Sequence, residues 1–335
     1  MSDISAKSGE LRRFANWDTA IIVLTIAVLL VASLAVDNFG TSRNFTFMVL
    51  DLMPIILVAL PMTFIIITGE IDLSVASTLG LTSSLMGWFW NHDLSIETII
   101  PLCVLIGAVA GVLNGFLVTG LGLPSLAVTI GTLALYRGLA FVVLGDGAVA
   151  DFPWNYTGWV TGTIGDGSIP NVLILIVAMA VVFGVILHAT PIGRSLYAIG
   201  ANAQAAHFSG IRVARTKFWL YVVSGAVAGL VGVLWTLRYS SARADNGAGL
   251  ELAVVAAVLL GGVSIFGGKG SLPGVLAGVV LLTALQNALR LEDVSGQALN
   301  IVTGALLVLS VLLPNIVTTV RGNWQRRRLR QSAIQ

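Results

Sequence analysis

The residues that could do chemistry are the polar ones standing in otherwise apolar sequence: Asp51, Glu70, Asp72, Asn114, Arg137 and Glu251. A charge inside a bilayer is costly and is kept where it meets a partner or an aqueous path, so each is a candidate for handling a solute or for tying helices together. Asp51, Glu70, Asp72 and Glu251 fall near the ends of apolar runs, Arg137 lies within one, and Asn114 is the deepest. At a span end, snorkelling or an interfacial partner accounts for Asp51 and Arg137, and a lone deep Asn caps or cross-links helices. Asp72, Asn114, Arg137 and Glu251 are therefore the candidates for a translocation path or for helix packing.

Catalytic chemistry is harder to find. A P-loop needs Gly, four residues, Gly-Lys and then Ser or Thr. Around Lys269 the sequence has Val263 at the first glycine position and Gly270 after the lysine. The chain is thus expected not to hydrolyse ATP. His92, His188 and His207 have no metal-ligand spacing, and no Ser sits in a G-x-S-x-G elbow. No catalytic residue, metal or cofactor is expected, and a membrane-embedded enzyme would require a cluster of Asp or His that the dispersed acids do not form.

The stretch "IGANAQAAHFSGI" (199–211) carries a different signal. Asn202 can cap a helix that runs to about Ser209 and stops at Gly210. Two turns are not stable alone in water, so such a helix must dock on something. Its small side chains permit close approach to a partner, the alternative being a helix lying on its own bundle or at the lipid surface.

The elements that must carry these residues are membrane helices. Of 335 residues, 56% are hydrophobic and 10% charged, against about a quarter charged in soluble domains. Ten apolar runs are long enough to consider as spans: 18–37, 48–68, 72–90, 97–119, 124–144, 170–189, 217–237, 250–266, 272–290 and 297–317. The expected fold is an all-α polytopic membrane protein of about ten transmembrane helices with both termini cytoplasmic. Charge supports that parity, since only Arg43, Arg238, Arg243 and Arg290 fall in external segments and Arg137 within a span, leaving the rest of the 18 Lys and Arg inside. The chain divides into a cytoplasmic segment 1–17, a transmembrane domain 18–317 with a basic loop at 190–216, and a basic tail 318–335, whose RRRLR anchors topology beside anionic lipid.

The net charge of +2 is too small for nucleic-acid binding, and the single cysteine, Cys103, rules out a disulfide framework. The first apolar run spans a full bilayer and lacks a small-residue cleavage site, so no cleavable signal peptide is expected. Glycines repeat every fourth residue at 107, 111 and 115, at 270, 274 and 278, and at 225 and 229, ridges that let helices approach closely in lipid. Two runs are interrupted: "ITGEIDLSVAST" restarts after Gly69 with Asp72 or Ser74 as cap, and "LLGGVSIFGGKGSLPG" breaks around Lys269. One such break in each half is a transporter pattern. No connection is long enough for a soluble domain, so any power source or receptor must be a separate chain.

Several motifs together resemble those of a known family. Gln204-Ala205-Ala206, three residues and Gly210 resemble the EAA-x-x-x-G coupling element of ABC importer permeases, with Gln in place of the first Glu. "GEIDLSVAS" (69–77), "GVLNGFLVTGLGLPSLAVTIGTLALYRG" (111–138), "GRSLYAIGANAQAAHFSGI" (193–211) and "ELAVVAAVLLGGVSIFGGKGSLPG" (251–274) resemble the ribose-type carbohydrate permeases of the branched-chain/ribose superfamily, over residues 48–317. Members usually carry Gly where this chain has Glu70. The resemblance implies the membrane subunit of a bacterial ABC importer in the inner membrane, surrounded by lipid and paired with a second permease, identical or paralogous. It implies a cytoplasmic ABC ATPase docked at Gln204, Ala205, Ala206, Gly210 and Arg194, and an external sugar-binding protein. It further implies a monosaccharide or related solute, with ribose, rhamnose, xylose, galactose and autoinducer-2 as possibilities. The competing reading is an ion-coupled secondary transporter with Asp51, Asp72 or Arg137 as coupling groups, which gives no role to the 199–211 helix.

Overall fold

The computed structural model describes residues 3–310 except 166, together with 312, and side chains from residue 17 onward. The basic tail, Asp166 and the side chains of Lys7, Arg12 and Arg13 lie outside the described residues. Among the described residues the chain folds as helices, with a two-residue β pairing of 148–149 with 242–243 and an isolated bridge between Thr163 and Pro170: α1 (Asp3–Ala35), α2 (Ser42–Ile67), α3 (Val75–Trp90), α4 (Ile96–Thr119), α5 (Ser125–Leu144), α6 (Trp154–Thr161), α7 (Val172–Ala189), α8 (Pro191–Ala201), α9 (Ala203–Phe208), α10 (Val213–Tyr239), α11 (Leu250–Leu260) and α12 (Leu272–Leu291). A short apolar helix, α13 (Gly296–Ser310), follows. This is an all-α polytopic membrane protein.

Among the described residues, seven helices are long and apolar enough to cross a bilayer, against the ten runs expected. Two runs form shorter helices, α3 and α11, because glycine and polar residues interrupt them, and the run 297–317 extends past the described residues. α3 has 16 residues, since the chain from Thr68 to Ser74 is non-helical and Gly69 takes a φ of 82°. α11 has 11 residues and stops at the glycine-rich turn 261–270, where Gly262, Gly267 and Gly268 all have positive φ. α13 is tied to α12 by a hydrogen bond from the Gln286 Nε2 to the Thr303 hydroxyl, at 2.8 Å. The connections 145–169 and 190–216, too short in apolar residues for a span, also hold helices, α6 and α8.

α2 is the centre of the bundle. Every residue from Val49 to Ile67 except the half-buried Asp51 is buried, and α7, α10, α11 and α12 pack around it. The other spans are amphipathic with respect to lipid: α7 buries Val172, Ile176, Phe183 and Leu187 and exposes Ile174, Val177, Val181 and Val185. α4 and α10 form the most extensive helix pair. Their glycines interlock, and a Cβ at Gly225 would overlap the Gly107 carbonyl and stand 2.8 Å from the Gly111 nitrogen. Likewise a Cβ at Gly278 would lie 2.5 Å from the Ala257 carbonyl oxygen, so the second ridge seats α12 on α11.

Trp17 donates to the Leu260 carbonyl at 3.3 Å, and the Ser271 hydroxyl donates to Asp18 at 2.6 Å. The Gly268 amide donates to the Ile67 carbonyl at 2.8 Å. The start of the first span, both interrupted turns and the α8–α9 loop therefore share one end of the bundle.

Candidate functional site

At the break after α2, Gly69 lets the chain leave the helix and turn back through "EIDLS" into α3. The break is stitched by side chains from three helices. Asp72, 1% exposed, accepts hydrogen bonds from the Ser74 amide at 3.0 Å and the Ser74 hydroxyl at 2.6 Å. Ser224 of α10 donates to its other oxygen at 3.0 Å. Asn114 of α4 donates to the Ser74 hydroxyl at 2.7 Å. From α5, the Ser125 hydroxyl accepts from the Ile71 amide at 3.4 Å, and Thr129 donates to the Ile71 carbonyl at 3.4 Å.

The structure thus brings two of the sequence candidates, Asp72 and Asn114, into one network. Asp72 stands at the end of an apolar run in sequence yet is as buried as Asn114, because the chain folds back at Gly69 and carries it inward. Ser224 was not singled out from sequence; it is one hydroxyl within a small-residue helix, and only the packing of α10 on α4 gives it meaning. Glu70 forms an ion pair with Lys217 at the start of α10.

Arg137 and Glu251 lie apart from this network. The Arg137 guanidinium lies over Gly80 of α3, where a Cβ would collide with it. It donates to the carbonyls of Asn246 at 2.9 Å, of Ala76 at 3.1 Å and of Ala244. Among the described residues it forms no ion pair; its role is to hold the 244–246 turn and the start of α3 against α5. Glu251 occupies the first turn of α11. Replacing Arg137 by Met leaves three carbonyls without this donor and is expected to lower stability by about 3 kcal/mol, read as a fall in the thermal unfolding midpoint of detergent-solubilised protein; an unchanged midpoint would remove the clamp.

Asp51 has an interhelical partner on each side. Pro54 has no N–H, so the Leu50 carbonyl four residues earlier lacks its helical donor. Arg238 of α10 donates to that carbonyl and pairs with Asp51, while Arg290 of α12 reaches the second Asp51 oxygen at 2.9 Å. One carboxylate thereby ties α2, α10 and α12 together at the end of the bundle away from α8 and α9.

At the near end, α9 has the cap read from sequence: the Asn202 side chain accepts from the Ala205 amide at 2.9 Å, and Gly210 turns the chain with a φ of 86°. Of the expected coupling residues, Gln204, Ala205, Gly210 and Arg194 are exposed, whereas Ala206 is buried against the chain's own bundle. Ala206 seats the helix and the others face outward. Phe208, 80% exposed, stands on the same helix and was not singled out from sequence.

A lipid-spanning bundle with two interrupted helices, a buried polar network at one break and a capped helix presented beyond the apolar core is a transport permease. The chain belongs to the family described as branched-chain amino acid transport system / permease component, whose model matches residues 44–311. Among its relatives, "Autoinducer 2 import system permease protein LsrD" of Photorhabdus temperata is 32% identical over 322 residues, covering 93% of this chain and 96% of the relative. The protein of the same name from Yersinia pseudotuberculosis serotype IB (strain PB1/+) is 33% identical, covering 93% and 97%. No solved structure matches the chain. It is the membrane-spanning permease component of an ABC-type import system.

Proposed function

We propose that this permease imports a small, hydroxyl-rich solute of the autoinducer-2 or monosaccharide class across the bacterial inner membrane. The near full-length similarity to two autoinducer-2 import permeases supports the solute class. In this reading the α8–α9 end is cytoplasmic, as the positive-inside count favours. α3 and α11 complete their crossings with the non-helical segments beside them, and the apolar run 297–317 supplies the tenth, giving ten passes and both chain ends in the cytoplasm. Two permeases, identical or paralogous, enclose the path. A cytoplasmic ABC ATPase supplies the energy, and an external binding protein delivers the solute. The translocation step is a two-state rearrangement of packed helices, biased by nucleotide on one side and by the loaded receptor on the other.

The observation that carries this reading is α9, a six-residue helix too short to stand alone, seated by Ala206 and offering Gln204, Ala205 and Phe208 to solvent. Those residues form the surface for the ATPase, with Phe208 as its apolar anchor and the exposed Arg194 of α8 contributing charge. Phe208→Asp keeps the buried seat of the helix and removes the anchor. Affinity purification of the tagged permease in mild detergent should retain an ATPase subunit with wild type, and Phe208→Asp should weaken that retention by about 30-fold, the usual effect of losing an interfacial aromatic anchor. Retention at the wild-type level would remove α9 as the docking element. If no ATPase accompanies even the wild type and uptake follows a sodium or proton gradient, the chain is an ion-coupled carrier.

A further inference from the structure

The C-terminal turn of α8 touches both interrupted segments of the bundle at once. Gly200 sits where the turn after α2 meets the turn after α11: a Cβ there would overlap the Ile67 carbonyl oxygen and lie 3.0 Å from the Gly268 Cα. Those two turns are bonded to each other through the Gly268 amide and the Ile67 carbonyl, at 2.8 Å. Gly267 and Gly268 both have positive φ, and side chains on them would stand 3.1 Å from the Gly200 oxygen and 3.0 Å from the Ala201 nitrogen respectively. One turn earlier, the Tyr197 hydroxyl donates to the Gly270 carbonyl at 2.8 Å. Leu196 and Ile199, fully buried, press the same helix onto the bundle, and one residue, Asn202, separates it from α9. Three backbone segments meet at van der Waals distance here without side chains between them, so displacing α8 displaces both turns.

We propose that α8 is the joint through which α9 drives the two helix interruptions together, with Gly200 as the bearing surface and Tyr197 as the tether to the second turn. The inference rests on the reading of α9 as the ATPase-docking helix. It assigns to α8 a task separate from docking: neither Gly200 nor Tyr197 need touch the ATPase. One stroke at α9 then reaches the Asp72 network through Ile67 and the α11–α12 junction through Gly268 and Gly270. That couples the two halves of the chain without requiring a second docking helix.

Tyr197→Phe keeps the ring and its packing and removes only the bond to Gly270. In the complete complex reconstituted in proteoliposomes, with loaded binding protein outside and ATP on the ATPase side, this variant should retain its ATPase and hydrolyse ATP. The solute imported per ATP should fall about fivefold, as expected for loss of one neutral hydrogen bond that matters in only one of two states. Gly200→Ala, where it assembles, should uncouple more strongly. An unchanged solute-to-ATP ratio in Tyr197→Phe overturns the joint, and so does loss of the ATPase from that variant, which would make α8 part of the docking surface. Phe208→Asp in the same assay separates the two readings: its failure to release the ATPase removes α9 as the docking site, whatever Tyr197→Phe does.

Discussion

Asp72→Leu should yield no folded transporter, whereas Asp72→Asn should fold and import solute under ATP within about threefold of wild type. The leucine leaves the Ser74 amide, the Ser74 hydroxyl and the Ser224 hydroxyl facing apolar surface. At about 1–3 kcal/mol for each of the three buried polar groups stranded, the loss is about 3–9 kcal/mol, a large share of the stability of an ordinary domain. The amide can still accept from Ser74 through its oxygen and donate to Ser224 through its nitrogen, preserving the stitch across the α2–α3 break. Size-exclusion profile and uptake, measured together on both variants, decide the matter. A folded Asp72→Asn protein with no ATP-driven uptake would mean that the negative charge itself is needed, and would restore ion coupling as the mechanism.

Gly225→Leu is expected to be as damaging for an unrelated reason. Its Cβ would meet the Gly107 carbonyl and the Gly111 amide, both backbone groups within α4, which cannot move without parting the two helices. Overpacking in a core usually costs about 1–3 kcal/mol, and a clash with backbone along the main helix contact should exceed that range. Gly131→Leu is the matched control: nothing lies within 4 Å of a Cβ at Gly131 on α5, so the unfolding midpoint in detergent should stay at the wild-type value. Equal midpoints for Gly225→Leu and wild type would show that the α4–α10 contact is not the one described.

The glycine ridge was legible because its cause is local and periodic: small residues every fourth position make a flat helix face whatever lies opposite. The cap of α9 was legible for the same reason, since Asn202 and Gly210 act on backbone within their own turn. Both helix breaks were also visible in the sequence, but their consequence was not. Hydropathy counts residues and cannot tell a continuous 20-residue helix from a shorter one extended by a turn, so the runs at 72–90 and 250–266 read as complete spans. Asp72 seemed to sit at a span end because sequence distance from Gly69 says nothing about which way the chain folds back. The partners of Arg137 are backbone carbonyls of Ala244 and Asn246, which every residue possesses, so no sequence pattern could announce them. α8 is not legible as a span because its apolar residues, Leu196 and Ile199 among them, make up too little of an 11-residue helix.

The enclosure of α2 bears on how the chain is made. Its 26 residues are apolar enough to leave the translocation machinery for lipid as soon as they emerge, yet the neighbours that finally surround them, α7, α10, α11 and α12, are synthesised afterwards. During most of translation α2 must therefore rest against acyl chains, and it is withdrawn from them only when α12, ending at Leu291, has arrived. Insertion and assembly are separate events for this helix. A ribosome halted before residue 272 would hold a fully inserted but still lipid-exposed α2, with Asp51 lacking Arg290.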